Sequence, residues 1–548
     1  MDRTILIGGA WPYANNSLHI GHLAALLPGD VLARYFRQNG DKVYYVSGSD
    51  CHGTPITIRA NKSGVKPNEI AEHYHNEFVK NFSDLDFSYD LYSSTMTKTH
   101  HELVQKFLKK IDLNGYLYTA YEDNYFCPHC GKIIVDREVV GTCPKCGGEA
   151  NGEQCDACLS VFKVGEIENA KCKYCQTPVE IKNGKHLYFR MSDFTEIIKQ
   201  YIIENSKEYN WRQTAINESL KYVNEGLKDR AITRDLTWGI EVPFEGFDDK
   251  RIYVWFEAVL GYFTDAITLA SKEGKDFLEI AKSNNFKSYY VHGKDNIVFH
   301  TVILPALLEA IDPKINKPNC IISCEYINMN NVKMSKSKGN LVTVNNLISN
   351  FYSDSIRYFF IRFNPERKDA SFSYSDFVDC HNKQLLGGYG NFVNRNLSFL
   401  KKKYEGKLPK LSLDDEIKNE VQNWYNEIAT EMERGELKTV AEKFYSYVQF
   451  ANAYYDKSKP WTLYENFKED FDKITSNCIY LICNLANISA MILPKTSDKI
   501  SKWLGFETNK FQPVSYSVEI LPDIEPLFAR LELDKIDSEV GSADTFNK

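Results

Sequence analysis

"TILIGGAWPYANNSLHIGHLAALLPGDVLARYFRQNG", Thr4 to Gly40, is the stretch on which the fold turns. It opens as a short apolar strand, TILIGGA, that Pro12 and Asn15 then interrupt. Leu18, Leu23, Leu26, Leu27, Val31, Leu32 and Phe36 follow at helical spacing, up to a glycine stop at Gly40. Ser17 is the expected N-cap. A helix that starts just after a strand turns its unpaired N–H groups and positive dipole end toward the strand's exit, where an anion is favoured. His19 and His22 are three residues apart and share one face of that helix, so both imidazoles can donate to phosphate oxygens. Gly21 between them lets a flat base approach the backbone. Taken alone, two histidines on a helix are more often packing or surface residues than ligands.

The same alternation extends outward. KVYYVSGSD, from Lys42, reads as the next strand, and KPNEIAEHYHNEFVKNF and TKTHHELVQKFLKKIDLNG read as amphipathic helices. Strand–helix alternation predicts a parallel, doubly wound α/β sheet. Residues 117–225 break it with a cysteine-rich insert followed by a helical stretch, MSDFTEIIKQYIIEN. It resumes with IYVWFEAVLGYF, SYYVHGKDNIVFHTVILPALLEAI and CIISCEYINMN, so the sheet is split around an insertion. Beyond about residue 380 the chain reads as amphipathic helices throughout.

A chain of 548 residues is too long for one core and implies three or four domains. Hydrophobic residues at 43% and charged residues at 25% suit a globular protein, and a net charge of -7 argues against a nonspecific nucleic-acid coat while allowing a local basic groove. No apolar run approaches the roughly 18 residues of a membrane span. The N-terminus lacks the long apolar region of a secretory signal, so a cytoplasmic protein is expected. Eight of the 14 cysteines form four Cys-x-x-Cys pairs: Cys127 and Cys130, Cys143 and Cys146, Cys155 and Cys158, Cys172 and Cys175. Each pair offers two thiolates from one tight turn, and two pairs close a tetrahedral site, so two structural zinc ions are expected. Spacing does not settle which pairs join. Redox-active pairs are the alternative, and four clustered pairs suit metal better.

Val332 to Asn340, VKMSKSKGN, looks at first like a solvated basic loop. SLHIGH near the N-terminus together with KMSKS after the last strand of a split sheet resembles the class I aminoacyl-tRNA synthetases, in order and placement as well as in letters. The resemblance implies attack of an amino-acid carboxylate on the α-phosphate of ATP, then transfer of the acyl group to the tRNA 3′ end. Positioning and aimed positive charge carry such chemistry. It implies Lys336 as the pyrophosphate clamp with Lys333 in support, and a mobile loop allowed by Ser335, Ser337 and Gly339, with Mg²⁺ accompanying ATP.

Five further segments, GGAWPYANNSLHIGH, SGSDCHGTP, ITRDLTWGIEVP, IYVWFEAVLGY and GKDNIVFH, resemble the methionyl branch of that class. A flexible, polarizable thioether favours aromatic edges. The resemblance accordingly implies a methionine pocket of Ala10, Trp11, Tyr13, Trp255, Ala258, Val259, Tyr262, Asn296, Ile297 and His300, with Asp50 taking the ammonium and Arg234 near the carboxylate and phosphate. Trp11 stands where many relatives carry leucine, and Val259 where they carry proline. For ATP it implies Pro12, Tyr13, Asn15, His19, Gly21, His22, Gly293, Lys294 and Asp295, joined by Lys333, Ser335 and Lys336.

The family pattern nests the zinc sites, with Cys143, Cys146, Cys155 and Cys158 at one ion and Cys127, Cys130, Cys172 and Cys175 at the other. It places Asn391, Arg395 and Trp461 on the CAU anticodon of tRNA(Met). The implied plan is a Rossmann-like catalytic domain over 1–116 and 226–328, a connective insertion at 117–225, a signature-loop and stem-contact region at 329–383, and a helical anticodon-binding domain at 384–548. That last domain carries a terminal segment, IEPLFARLE, that packs back on the core. No appended dimerising domain is recognised, so a monomer is expected. A synthetase for leucine, isoleucine or valine would need a larger editing insertion, and the cysteine enzyme a metal in its pocket. A noncatalytic zinc-ribbon RNA binder would explain the cysteines but not the two ATP motifs.

Overall fold

The computed structural model describes residues 3–134, 138–151, 154–155, 158, 162–330, 341–536 and 545–546. Five parallel strands make the central sheet: β1 (Thr4–Gly9), β2 (Lys42–Ser49), β3 (Leu91–Ser94), β4 (Phe286–Gly293) and β5 (Cys320–Cys324), in the order β5-β4-β1-β2-β3. β1 is central, and its alternate residues feed two cores. Ile5 and Ile7 meet Leu23 and Leu27 of α1 (Ile20–Gln38), while Leu6 joins Val259 and Tyr262 of α2 (Val254–Lys272) in the core of the opposite face. The strand order reverses between β1 and β4, and the crevice outside their carboxyl ends is where such a sheet takes a ligand.

The insertion hangs on a long antiparallel hairpin in which Leu117 pairs with Phe189 and Phe126 with Glu180. The cysteine pairs lie at its far end. After the insertion, helices Thr195–Glu208 and Gln213–Asn224 return to the sheet, where Trp211 Nε1 donates to the Asn319 carbonyl at 2.7 Å.

The C-terminal part is a bundle of α3 (Asn391–Lys403), α4 (Asp415–Arg434), α5 (Leu437–Ser458), α6 (Lys468–Ser489) and α7 (Pro494–Leu504). Gly435, at φ +70°, ends α4 in the left-handed region and lets α5 begin two residues later. The segment around Phe528 packs on the π-helical turn His381–Gly390: His381 Nε2 lies 2.8 Å from the Ala529 carbonyl, and Asn382 exchanges two hydrogen bonds with Leu531.

One guanidinium locks the bundle to the catalytic sheet. Arg357, fully buried, ion-pairs with Asp30 of α1 at 2.6 Å and donates to the carbonyls of Leu85, Met491 and Ile492. Burial alone would raise the Asp30 carboxyl, but Arg357 and Arg34 outweigh it and hold the group down to about 2.

Candidate active site

The first turn of α1 closes on itself through two histidines. His19, not Ser17, is the N-cap: its Nδ1 accepts the Gly21 N–H at 3.1 Å, and His22 Nδ1 accepts the His19 N–H at 3.1 Å. Ser17 lies two residues outside the helix and is buried. Both Nδ1 atoms accept, so each neutral imidazole carries its hydrogen on Nε2. The two rings, 3.9 Å apart, therefore present N–H groups at a helix N-terminus. The chain after the signature loop pairs with this turn: Ile20 N–H donates to Val342 at 3.1 Å and Val344 N–H to Leu18 at 2.9 Å. Lys333, Ser335, Lys336, Ser337 and Gly339 lie outside the described residues.

A cleft of ≈ 350 Å³ opens beside His19 and His22, at the carboxyl ends of β1, β4 and β5. Ala10, Trp11, Pro12, Tyr13, Gly21, Trp255, Gly293, Asp295 and Asn296 line it, together with Ala25, Leu26, Leu341 and the run Cys324–Asn328, which the sequence had not singled out. At its rim Tyr326 Oη donates to Asp295 Oδ1 at 2.6 Å. Lys294 is not among the lining residues; its Nζ ion-pairs with Glu325 at 2.8 Å and Asp369 at 3.2 Å. Asn15 and Arg234 also lie off the lining, with Arg234 folded over the Tyr253 ring and donating to the carbonyls of Ala231 and Thr233.

Aromatic rings shape the inner end. Tyr13 meets Trp255 edge-on at 5.6 Å, and Trp255 stacks on Phe299 at 4.1 Å, a partner the sequence reading missed. The Trp11 indole fills a slot between Gly48 and Gly261, where a Cβ at either position would come within 2.5 Å of the ring. Tyr262 and His300 are buried behind the lining, as are Ala258, Val259 and Ile297. His300 Nδ1 donates to the Asn296 carbonyl at 2.8 Å, which leaves Nε2 to accept from Tyr262 Oη at 2.8 Å. Burial holds His300 neutral, pushed down to about 4.

Asp50, just past the end of β2 and bridged to Tyr13, is likewise not among the lining residues; it is 1% exposed and accepts the His52 N–H at 3.3 Å. Burial, and next the charge of Glu257, push its carboxyl well above the usual carboxylate range. Among the described residues no cation pairs with it. Glu257 was also missed, although a lone charge inside the apolar run VWFEAVLGYF was a legible signal.

Comparison with known proteins matches residues 5–397 to the family "tRNA synthetases class I (M)" and residues 409–526 to the "anticodon binding domain of methionyl tRNA ligase". Methionine–tRNA ligase 1 of Alkaliphilus oremlandii is 43% identical over 538 residues, 98% of this chain and 99% of that one. The methionine–tRNA ligase of Streptococcus pneumoniae is 43% identical over 537 residues, 98% of each chain. The chain belongs to the methionyl-tRNA synthetases. In fold it is similar to the methionyl-tRNA synthetase of Mycobacterium tuberculosis solved with methionyl-adenylate, with a TM-score of 0.76 at 22% identity, covering 96% of this chain and 100% of that one.

The arm of this methionyl-tRNA synthetase gathers its cysteines into the nested sets: Cys127, Cys130, Cys172 and Cys175 in one, Cys143, Cys146, Cys155 and Cys158 in the other. Sulfur–sulfur distances run from 3.4 to 3.9 Å in the first set and are 3.6 and 3.7 Å in the second. Four thiolates around zinc, each at about 2.3 Å, stand about 3.8 Å apart, so both sets fit the ion. Each knuckle otherwise has a core of only a few side chains, such as Tyr125, Ile134 and Val139, or Ala150, Phe162 and Ile167. Cores of that size among the described residues are of the kind that a bound metal commonly supplements.

On the bundle, Asn391 opens α3, exposed, with Arg395 one turn on. Arg395 lies over the Tyr455 ring at 4.3 Å and pairs with Asp456 at 2.8 Å, and Trp461, 42% exposed, leans on the same Tyr455 at 5.1 Å. Tyr455 and Asp456 organise this corner and were not read from the sequence.

Proposed function

We propose that the cleft forms methionyl-adenylate with the residues gathered there. Methionine enters the recess with its ammonium on Asp50 and its thioether against Tyr13, Trp11 and Trp255. A methionine carboxylate oxygen then bonds to the α-phosphorus, the bond from that phosphorus to the bridging oxygen breaks, and pyrophosphate leaves. Charge collects on the phosphate oxygens, where the Nε2–H groups of His19 and His22 and the α1 dipole can stabilise it. Lys333 and Lys336 would add charge on the pyrophosphate side. Asp295 is suited to accept from the ribose once Tyr326 yields it. Mg²⁺ arriving with ATP would supply charge neutralisation on the triphosphate. In the second step a hydroxyl of the tRNA 3′-terminal ribose attacks the acyl carbonyl, loses its proton, and AMP departs.

The two zinc ions hold the arm as closed four-thiolate sites with no position left for a reactant. Asn391, Arg395 and Trp461 read unstacked anticodon bases by hydrogen bonding and stacking. Eight thiolates of this kind belong in a reducing compartment, which supports a cytoplasmic enzyme.

The observation that supports this reading is the reciprocal histidine cap beside a cleft whose lining residue Tyr13 is bridged to Asp50, a buried carboxylate with no cation partner among the described residues. Methionine-dependent ATP–pyrophosphate exchange tests it. Exchange should fall sharply in His19→Ala and His22→Ala with little change in methionine affinity. Equal loss of both would remove the phosphate role.

A further inference from the structure

One buried carboxylate lies beside two histidines, one whose main-chain N–H meets Asp50 and one packed on Trp11. Glu257, in the first turn of α2, is fully buried. Both of its oxygens lie 3.0 Å from His52 Nδ1, which must donate since a carboxylate only accepts. The His52 main-chain N–H is the donor to Asp50, and the loop between them is pinned by Trp238 Nε1 on the Cys51 carbonyl at 2.7 Å. The other histidine is His100. Thr264 Oγ1 gives its hydrogen to the Gly261 carbonyl at 3.0 Å, so it accepts from His100 Nδ1 at 2.9 Å. His100 Nε2 then faces Glu257 Oε2 at 3.8 Å, beyond hydrogen-bond distance and an ion pair when the ring is protonated, and the ring lies against Trp11, centroids 5.9 Å apart.

We propose that Glu257 is a positioning residue for methionine recognition, setting the Asp50 carboxylate through His52 and the Trp11 wall through His100. The inference rests on the reading that Asp50 takes the substrate ammonium. Burial works against the Glu257 carboxylate, but His52 and His100 keep it below the ordinary glutamate range, so it stands ionised. Its charge in turn helps hold the Asp50 carboxyl up. The other titratable groups facing the cluster are Cys51, raised chiefly by burial, and His101, lowered chiefly by burial; its ring lies 5.4 Å from His52. Tyr13 comes from the strand side.

The test uses the full-length zinc enzyme and measures ATP–pyrophosphate exchange against methionine and ATP across pH. Glu257→Gln keeps the shape and an acceptor for His52 but removes the charge. It should raise KM for methionine about tenfold and leave KM for ATP within about twofold. The acid limb of kcat/KM for methionine should move to lower pH, because Asp50 then ionises more readily. Glu257→Asp keeps the charge, so its limb should stay near that of the wild type while KM is raised. A wild-type KM and an unmoved limb in Glu257→Gln, with methionine binding still lost in Asp50→Asn, would overturn the role of Glu257 alone. If Asp50→Asn itself binds methionine normally, the ammonium reading falls and takes the inference with it. Should Glu257→Gln not fold, Glu257→Asp decides: a rise confined to methionine supports the role, and equal rises for both substrates refute it.

Discussion

Asp30, in α1, and Asp50, just past β2, are both buried aspartates, and their carboxyls are shifted in opposite directions. Asp30 meets Arg357 at 2.6 Å and Arg34 at 2.8 Å, and Ser88 donates to it as well. Among the described residues Asp50 accepts one main-chain N–H and has a second carboxylate nearby. The first is a completed ion pair, and it joins two parts of the molecule. The second has no cation partner among the described residues, and on the proposed reading the ammonium of methionine supplies one. Burial is the same in both; what differs is whether the protein itself supplies the countercharge.

Breaking the completed pair should have the largest effect. Arg357→Met leaves Asp30 uncompensated in the joint and should cost about 3–5 kcal/mol in denaturant unfolding. The loss should shrink with acid, as the folded carboxyl takes up its proton. The sign follows from the depressed group: its contribution is present above the unfolded aspartate value and is lost as pH falls toward about 2.

Asp50 should respond in the opposite sense. Its folded pKa is raised, so its share of stability is present at low pH and is lost as pH rises through the folded value. Asp50→Asn should therefore leave the protein as stable as the wild type at neutral pH, or more stable by about 1 kcal/mol. The ligand should separate the two proteins further. Saturating methionine at about 100 times Kd should stabilise the wild type by about 2.7 kcal/mol in a thermal shift, and Asp50→Asn hardly at all. A methionine-dependent shift of equal size in both would show that the ammonium is held elsewhere.

This contrast also marks what a sequence can tell. β1 and α1 were legible because an apolar run and a helical period are local signals. The cysteine sets were legible as ligands, while their partnership depends on how a hairpin folds back. Asp30 and Arg357 are 327 residues apart, and each read alone looks like an ordinary helix charge. The His19 cap escaped because histidine is an unusual N-cap, and its ring nitrogen does here what a serine hydroxyl would do. Asp50 came from resemblance to a family, yet its missing countercharge became visible only once its neighbours were placed.

A second charged pair sets the lower limit of the comparison. Arg395 and Asp456 meet at 2.8 Å with Asp456 largely exposed, so solvent screens most of their attraction. Asp456→Asn should change unfolding stability by less than about 1 kcal/mol, against the several expected at Arg357. On the proposed anticodon role of Arg395, an RNA that engages it would compete with Asp456 for the same guanidinium. Releasing it should lower KM for tRNA a few-fold and leave ATP–pyrophosphate exchange unchanged, since exchange needs no RNA. A higher KM for tRNA would mean that Asp456 orients Arg395 for the RNA instead of restraining it. An exposed pair would then be doing through geometry what the buried Arg357 pair does through charge.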